Sequence, residues 1–180
     1  MFLKKVFSIK VIKLLFLFVF LSFSAVSDEN NRLKNALTYL KNLDEFSSSF
    51  LQIQNTDVSE GSIFIKGDRL RIEYTSPTNL IFILKKNKGM YFNKELQEVE
   101  YFNPKNTIGK FFIDLFHNDN FLSGSKVTIK KSYFYIQKEI QLDEKTYIIK
   151  VYFEKKPLQL RKLEIINDLE IITFTILNPN

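Results

Sequence analysis

The chain has 180 residues, of which 26 are Lys or Arg, 20 are Asp or Glu and none is Cys. This length accommodates one domain with a hydrophobic core, because single domains typically contain roughly 100–200 residues. The lack of cysteine excludes disulfides, thiolate metal sites, a cysteine nucleophile and a lipid-modified N-terminal cysteine. The formal net charge of +6 would suit an acidic partner such as nucleic acid, so the distribution of the basic residues matters.

The first 27 residues have the composition of a secretory signal peptide, in which a basic segment, an apolar segment and small residues follow one another. Four lysines precede an uncharged apolar run over residues 14–23, which is shorter than the roughly 20 residues of a bilayer-spanning helix. Cleavage after Ser24 or after Ser27 fits the small residues there, and an uncleaved membrane anchor is the alternative. We therefore expect a cleaved signal peptide over residues 1–27 and an exported single domain over residues 28–180.

Signal cleavage would change the charge of the protein. Four lysines and no acidic residue leave with the signal peptide, and they are Lys4, Lys5, Lys10 and Lys13. The exported chain then has 22 basic and 20 acidic residues, a net charge of +2. It has no dense cluster of basic residues interleaved with aromatic ones, so we expect no nucleic-acid binding.

The exported domain is predicted to begin with an amphipathic helix over residues 31–43, where apolar residues recur at helical spacing. After Asp44 the sequence changes to short segments rich in Phe, Ile, Tyr, Val and Thr, separated by turn residues about every 8–12 positions, which is typical of an antiparallel sheet made of hairpins. The predicted strands cover residues 46–55, 61–66, 69–74, 79–85, 89–92, 96–102, 126–129, 133–142, 146–154, 159–166 and 170–177.

Two local features interrupt this succession of strands. Gly67 and Asp68 predict a two-residue hairpin turn, because glycine supplies the positive φ that such turns need. Past Pro104, apolar residues recur at i, i+3, i+4, i+7 and i+8 over residues 108–116. This spacing predicts a short second helix with a side rich in phenylalanine.

Residue patterns that would indicate catalysis or metal binding are missing. His117 is the only histidine, so a metal site built on two histidines is excluded, and a capping or surface role for His117 is the simplest interpretation. The sequence has neither a nucleophile elbow nor a phosphate-binding glycine loop. We therefore expect a protein that is not an enzyme and that uses no metal and no cofactor; a hydrolase on an unfamiliar scaffold is the alternative.

Several predicted strands carry large apolar residues on both faces. Leu80, Phe82 and Leu84 share one face of their segment, while Ile81 and Ile83 share the other. A sheet packed on one side only should alternate apolar and polar residues more cleanly. Either both faces have apolar neighbours or a large concavity is lined by apolar side chains, and an ordinary helix-on-sheet core is the alternative.

The order of motifs in the exported chain resembles the LolA family of outer-membrane lipoprotein carriers. The first similar stretch is LKNALTYLKNLDEFSSSFLQ, in which Phe46, Phe50 and Gln52 match a family pattern F-x-x-x-F-x-Q. The resemblance continues through EGSIFIKGDRLRIEYTSP, GMYFNKELQEVEYF and LQLRKLEIIND, and covers about residues 33–177. It implies a mainly β fold with helices: an unclosed, curved antiparallel sheet, or half-barrel, with a helical lid over a hydrophobic cavity.

The resemblance also implies which side chains surround that cavity. The predicted cavity residues of the sheet are Phe50, Phe64, Leu70, Ile72, Tyr74, Phe82 and Tyr91. Those of the lid are Phe112, Leu115 and Phe116. Where the family has an arginine that latches the lid through backbone carbonyls, this chain has Lys66, so Lys66 is the predicted latch with Arg69 as a substitute, and a chain without a latch is the alternative.

The function that the resemblance implies is that of a monomeric periplasmic carrier. Such a protein receives acylated lipoproteins from an inner-membrane ABC transporter that releases them and delivers them to an outer-membrane acceptor. The acceptor itself needs an N-terminal cysteine, which this chain lacks. The alternative is a LolA-like periplasmic module that binds or senses lipids or lipoproteins without shuttling them.

Overall fold

The computed structural model describes residues 28–43 and 45–179. The predicted signal peptide, residues 1–27, lies outside this part of the chain. Residues 28–41 form the first helix, α1, and the second helix, α2, covers Gly109–His117. The strands are β1 (Glu45–Gln54), β2 (Asp57–Lys66), β3 (Arg69–Ser76), β4 (Leu80–Lys85), β5 (Lys88–Asn93), β6 (Glu98–Phe102), β7 (Lys126–Ile129), β8 (Tyr133–Leu142), β9 (Lys145–Lys155), β10 (Leu158–Ile166) and β11 (Ile171–Leu177).

The eleven strands form one antiparallel sheet in the order β6-β5-β4-β3-β2-β1-β11-β10-β9-β8-β7. Two meanders, β1 to β6 and β7 to β11, therefore join through the pairing of β1 with β11. The segment between β6 and β7 runs from one edge strand to the other and carries α2. The sheet is curved and unclosed, with the helices over its concave side, so the predicted half-barrel with a helical lid is confirmed.

Alternation along the strands separates a buried concave side from a more exposed convex side. In β1, Phe46 and Phe50 are buried, while Glu45 and Ser49, each directly before one of them, are exposed. The same period continues across the sheet, since Phe50 pairs with Ile176 of β11, which is also buried. The hydrophobic core thus lies between the concave side of the sheet and the two helices.

Tight turns join most of the strands. Gly67 adopts a φ of 56° between β2 and β3, which confirms the predicted hairpin turn. Strand β2 begins at Asp57 rather than at residue 61, because Asn55 takes a positive φ and closes a two-residue hairpin. That hairpin extends the ladder to the Gln54–Asp57 pair, although this end of β2 is polar.

The two helices pack against different parts of the concave side. Helix α1 lies over the half of the sheet that contains β9 and β10: Tyr39 meets the Phe153 ring edge-on at 5.9 Å, and the Tyr39 hydroxyl accepts a hydrogen bond from the Leu160 backbone N–H at 3.4 Å. Helix α2 buries five of its nine residues. None of the helices in the described part of the chain is long and apolar enough to cross a bilayer.

Candidate functional site

A partly open hollow lies between the N-terminal end of α2 and the concave side of β1, β3, β4, β6 and β11. Its volume is about 380 Å³, which falls in the range of roughly 300–1,000 Å³ common for ligand sites. The lining is mainly apolar, with two glutamines and a threonine among the polar side chains. The residues that line it are Gln52, Gln54, Ile72, Tyr74, Phe82, Leu84, Phe102, Thr107, Ile108, Gly109, Phe112, Ile172 and Phe174.

The sheet side of the hollow is built from a continuous series of aromatic rings. The Phe82 ring lies 5.2 Å from Tyr91 and 5.9 Å from Tyr74, and Tyr74 meets Phe50 edge-on at 5.2 Å. Phe50 in turn lies 5.9 Å from Phe174. These rings come from five strands, because inward positions of neighbouring strands lie opposite one another in an antiparallel sheet. We call this surface, formed by Phe50, Tyr74, Phe82, Tyr91 and Phe174, the aromatic wall.

The lid side of the hollow is formed by α2 and the residues just before it. Phe112 meets the Phe174 ring edge-on at 4.9 Å, so it joins the lid to the aromatic wall. Ahead of the helix, the Thr107 hydroxyl donates to the Pro104 carbonyl at 3.0 Å and accepts from the Gly109 N–H at 3.2 Å. These bonds fix the start of α2, where Ile108 faces the hollow.

A row of hydrogen-bonded polar side chains lies at one end of the aromatic wall. The Tyr74 hydroxyl donates to Gln52 Oε1 at 2.6 Å, and Gln54 Nε2 donates to Glu170 Oε2 at 2.6 Å. Burial raises the pKa of Tyr74 to about 12, so its hydroxyl remains a hydrogen-bond donor at neutral pH. We call Gln52, Gln54, Tyr74 and Glu170 the polar wall.

The structure brings several of the predicted cavity residues together at this hollow. Ile72, Tyr74, Phe82 and Phe112 line it. Phe50 and Tyr91 do not line it but flank it through ring contacts with Tyr74 and Phe82.

Three other predicted cavity residues lie in packed regions instead. Leu70 is fully buried in the core. Leu115 and Phe116 are buried on the part of α2 that faces Leu40 of α1, and Phe116 stacks on Phe46 with the ring centroids 6.4 Å apart. The helical spacing that predicted Phe112 for the cavity also predicted Leu115 and Phe116, but α1 fills the space beside these two residues.

The placement of Phe64 in the hollow was wrong. Phe64 lies opposite Ser47 of β1 and Arg71 of β3, and its side chain is 40% exposed. Ile63 and Ile65 on either side of it are buried. Because side chains alternate along a strand, Phe64 lies on the convex side of the sheet.

The predicted latch also requires correction. Lys66 alternates with the buried Ile65, its side chain is 81% exposed, and its amine forms an ion pair with Glu45 at 3.1 Å. Arg69 lies opposite Lys66 in the same hairpin and is exposed. Both residues therefore belong to the exposed end of the β2–β3 hairpin, and among the described residues neither donates a hydrogen bond to a backbone carbonyl of α2.

A lysine from the opposite meander makes the kind of contact that was predicted for the latch. The amine of Lys138 in β8 donates to the backbone carbonyls of Phe121 and Ser123 in the loop after α2. It also lies 5.5 Å from the centre of the Phe121 ring. Lys138 was not predicted, because the pairing of β8 with the rest of the sheet cannot be read from local spacing.

Several lining residues were not predicted for the same reason. Ile172 and Phe174 are inward residues of β11, which reaches the hollow only through its pairing with β1. Gln52 was noted as part of a motif without a role. The alternation of β11 could have identified its inward side, but not its neighbour in the sheet.

His117 lies at the C-terminal end of α2. Burial lowers its pKa, while the negative charge of Asp68 opposes this effect. Its Nε2 atom is buried and has no hydrogen-bond partner among the described residues. The same part of the chain has no group of three or more metal-ligating side chains that could hold an ion.

Comparison with known protein families identifies the chain. The family model for the outer membrane lipoprotein carrier protein LolA matches residues 41–179, which include every strand of the sheet. The chain belongs to the LolA family. This family relationship supports a lipid- or lipoprotein-binding module, in agreement with the apolar hollow under the lid. A search of curated proteins returned no match.

Solved structures share the fold at low sequence identity. MucB is 12% identical with a TM-score of 0.50, covering 86% of this chain and 58% of MucB. The MucA/MucB complex of Pseudomonas aeruginosa gives 11% identity and a TM-score of 0.45, covering 83% of this chain and 56% of the other. A DUF1329 family protein of Desulfovibrio piger is 9% identical with a TM-score of 0.42, covering 83% of this chain and 90% of the other. The chain thus spans little more than half of MucB, and the likeness concerns the fold alone.

Proposed function

We propose that this LolA-family chain is a periplasmic carrier that binds the acyl chains of lipoproteins and moves them from the inner to the outer membrane. The observation that carries the proposal is the hollow of about 380 Å³ under α2, lined by Ile72, Phe82, Phe112 and Phe174. A packed domain would fill this space, since cores have few voids larger than a water molecule.

The physical requirement for a carrier follows from the hydrophobic effect. Burial of an acyl chain contributes about 0.8 kcal/mol per CH₂, so an acylated protein does not cross water unless its chains are covered. The aromatic wall and the inner side of α2 supply such a cover. Release then needs no chemical step, because a tighter acceptor or movement of the lid shifts the equilibrium.

The proposed pathway includes two protein partners and no chemistry. An inner-membrane ABC transporter hands over the lipoprotein, and an outer-membrane acceptor receives it. We propose a monomeric, non-enzymatic protein, exported to the periplasm after removal of residues 1–27. The family relationship supports a lipoprotein as the ligand. The transporter and the acceptor are proposed in addition.

The proposal is tested by a release experiment. The exported chain, residues 28–180, is added to spheroplasts that synthesise a lipoprotein labelled with radioactive palmitate. We expect the labelled lipoprotein to appear in the soluble fraction as a one-to-one complex with the chain. A variant with Ile108→Trp, which places a larger side chain at the lid side of the hollow, serves as the blocked control.

The outcomes separate the carrier from its alternative. Soluble complex with the unmodified chain and none with the Ile108→Trp variant supports the carrier. A folded chain that binds acyl chains in solution but releases no lipoprotein favours a LolA-like module that senses or binds lipids without shuttling. A folded chain that binds no acyl ligand would contradict both functions.

A further inference from the structure

The polar wall is a feature that acyl-chain burial does not require. Two glutamines stand at i and i+2 on the inward side of β1, beside an aromatic surface. Placing amide groups next to an apolar ligand costs free energy unless they are hydrogen-bonded. Two of their hydrogen bonds are internal, from Tyr74 to Gln52 and from Gln54 to Glu170. The wall is therefore a built polar surface at one end of the hollow.

Glu170 is held in place by the turn between β10 and β11. The side chain of Asn167 accepts hydrogen bonds from the backbone N–H groups of Leu169 at 2.8 Å and Glu170 at 3.0 Å. The Asn167 N–H donates to the Glu170 carbonyl at 3.0 Å. With its backbone fixed from both sides, Glu170 directs a partly buried carboxylate to Gln54, which lines the hollow.

The chemical character of the wall favours some head groups over others. Gln52, Gln54 and Tyr74 line the hollow, and Glu170 stands behind Gln54, which donates to it. An ionised carboxylate is an acceptor only, so Glu170 repels another carboxylate placed at the polar wall. The Nε2 group of Gln52 carries two N–H bonds on a side chain whose oxygen is already occupied by Tyr74. It is suited to the carbonyl of an ester or amide. The wall thus offers donors and acceptors that complement an amide or ester linkage.

Other charged residues on the concave side of the sheet near the hollow are acidic as well. Asp57 lies opposite Gln54, and Glu100 lies opposite Tyr91, so both occupy inward positions. On the lid side, Lys110 of α2 is paired with Asp114. These charges disfavour an anionic ligand at the end of the hollow.

We propose that the polar wall makes the hollow selective for acyl chains joined to a head group through an amide or ester, and that Glu170 excludes free fatty acids. This inference rests on the proposed function, because it specifies which acyl compounds the same hollow accepts. A carrier in a compartment that contains free fatty acids gains from such exclusion, since those acids would otherwise compete with its cargo.

The test compares two ligands with the same chain length. The exported chain is loaded with the neutral fluorophore N-phenyl-1-naphthylamine, which is displaced by N-palmitoylethanolamine, a neutral amide, or by palmitate at pH 7.5. We expect the amide to bind at least about tenfold more tightly than palmitate. The Glu170→Gln variant keeps the size of the side chain and an oxygen that can accept a hydrogen bond, but removes the charge. In this variant palmitate affinity should rise several-fold while amide affinity stays within twofold.

The control variant is Glu60→Gln, which removes the same charge from the sheet. Glu60 lies opposite Leu51 on the convex side and is exposed, so this variant should keep the preference of the unmodified chain. Equal binding of the two ligands by the unmodified chain would overturn the selectivity and leave the carrier proposal standing. A Glu170→Gln variant that folds, melts at the same temperature and still rejects palmitate would overturn the role of Glu170. Failure of the unmodified chain to bind either ligand would overturn the proposed function as well.

Discussion

The two halves of the concave side have similar apolar composition but different packing. In the half built from β8, β9 and β10, five inward residues are fully buried: Phe134, Ile136, Val151, Phe153 and Leu160. In the half built from β3 to β6, the inward residues Ile72, Phe82 and Phe102 border the hollow. The difference arises from α1, whose Tyr39 packs on Phe153.

This comparison shows how one sheet provides both stability and a binding site. The half covered by α1 is close-packed, which supplies hydrophobic stabilisation in proportion to the area removed from water. In the other half, the helical residues that border the hollow, among those the structure describes, come from α2, and room is left for a ligand. Substitutions in the packed half should therefore affect folding, whereas substitutions around the hollow should affect binding more than folding.

The largest effect is expected from Phe153→Ala in the packed half. Phe153 is fully buried, with rings of Tyr39 and Phe134 against it, so its truncation leaves a cavity and should cost about 3–5 kcal/mol of unfolding free energy. The matched change Phe82→Ala borders an existing hollow and should cost about 1–2 kcal/mol. Urea denaturation measures both, and equal losses would contradict the division into packed and open halves.

The second effect concerns the loop after α2. Lys138→Met removes the hydrogen bonds to the Phe121 and Ser123 carbonyls and should cost about 1–2 kcal/mol. Amide hydrogen exchange of residues 119–125 should become faster. Lys66→Met, at the exposed pair with Glu45, should change stability by less than about 0.5 kcal/mol. A larger loss from the Lys66 variant would restore Lys66 as the latch.

The third effect is on binding rather than on folding. Ile108→Trp puts a larger side chain where Ile108 lines the hollow beside Phe112. We expect acyl-ligand affinity to fall by about tenfold or more, which corresponds to about 1.4 kcal/mol. Displacement of N-phenyl-1-naphthylamine measures it. Unchanged affinity in a folded variant would show that acyl chains bind elsewhere.

The smallest effect is a dependence of stability on pH through His117. Burial lowers its pKa below the ordinary value of 6.5, so the unfolded chain binds a proton at a higher pH than the folded one. Stability should therefore decrease as the pH falls below about 6.5, until the folded protein is protonated as well. His117→Gln should reduce this decrease between pH 7 and pH 5, measured by urea denaturation. An unchanged slope would contradict the contribution of His117.

Much of the fold followed from local patterns in the sequence. Eleven strands were predicted, and residues 45–179 contain eleven. The turn at Gly67 and the position of α2 follow from glycine geometry and helical spacing. The ends of strands were predicted less accurately. The polar start of β2 at Asp57 was missed because it depends on pairing with β1.

The site was harder to predict because it depends on which elements meet. Phe64 and Phe82 are both phenylalanines within apolar strands. Ile63 and Ile65 are buried, so the alternation of side chains places Phe64 on the convex side. Leu115 of α2 is packed only because α1 lies beside it. Lys138 and Phe174 reach their positions through long-range strand pairing, for which local spacing gives no signal.

The most direct test of the account is site-specific photocrosslinking during lipoprotein release. The photoreactive residue p-benzoyl-phenylalanine replaces either Phe82, which lines the hollow, or Phe64, on the convex side of the same sheet. Each variant is incubated with spheroplasts that carry palmitate-labelled lipoprotein, and the complexes are irradiated. We expect labelled crosslinks from position 82 and none from position 64. Crosslinks from position 64 alone, or equally from both positions, would contradict binding in the hollow.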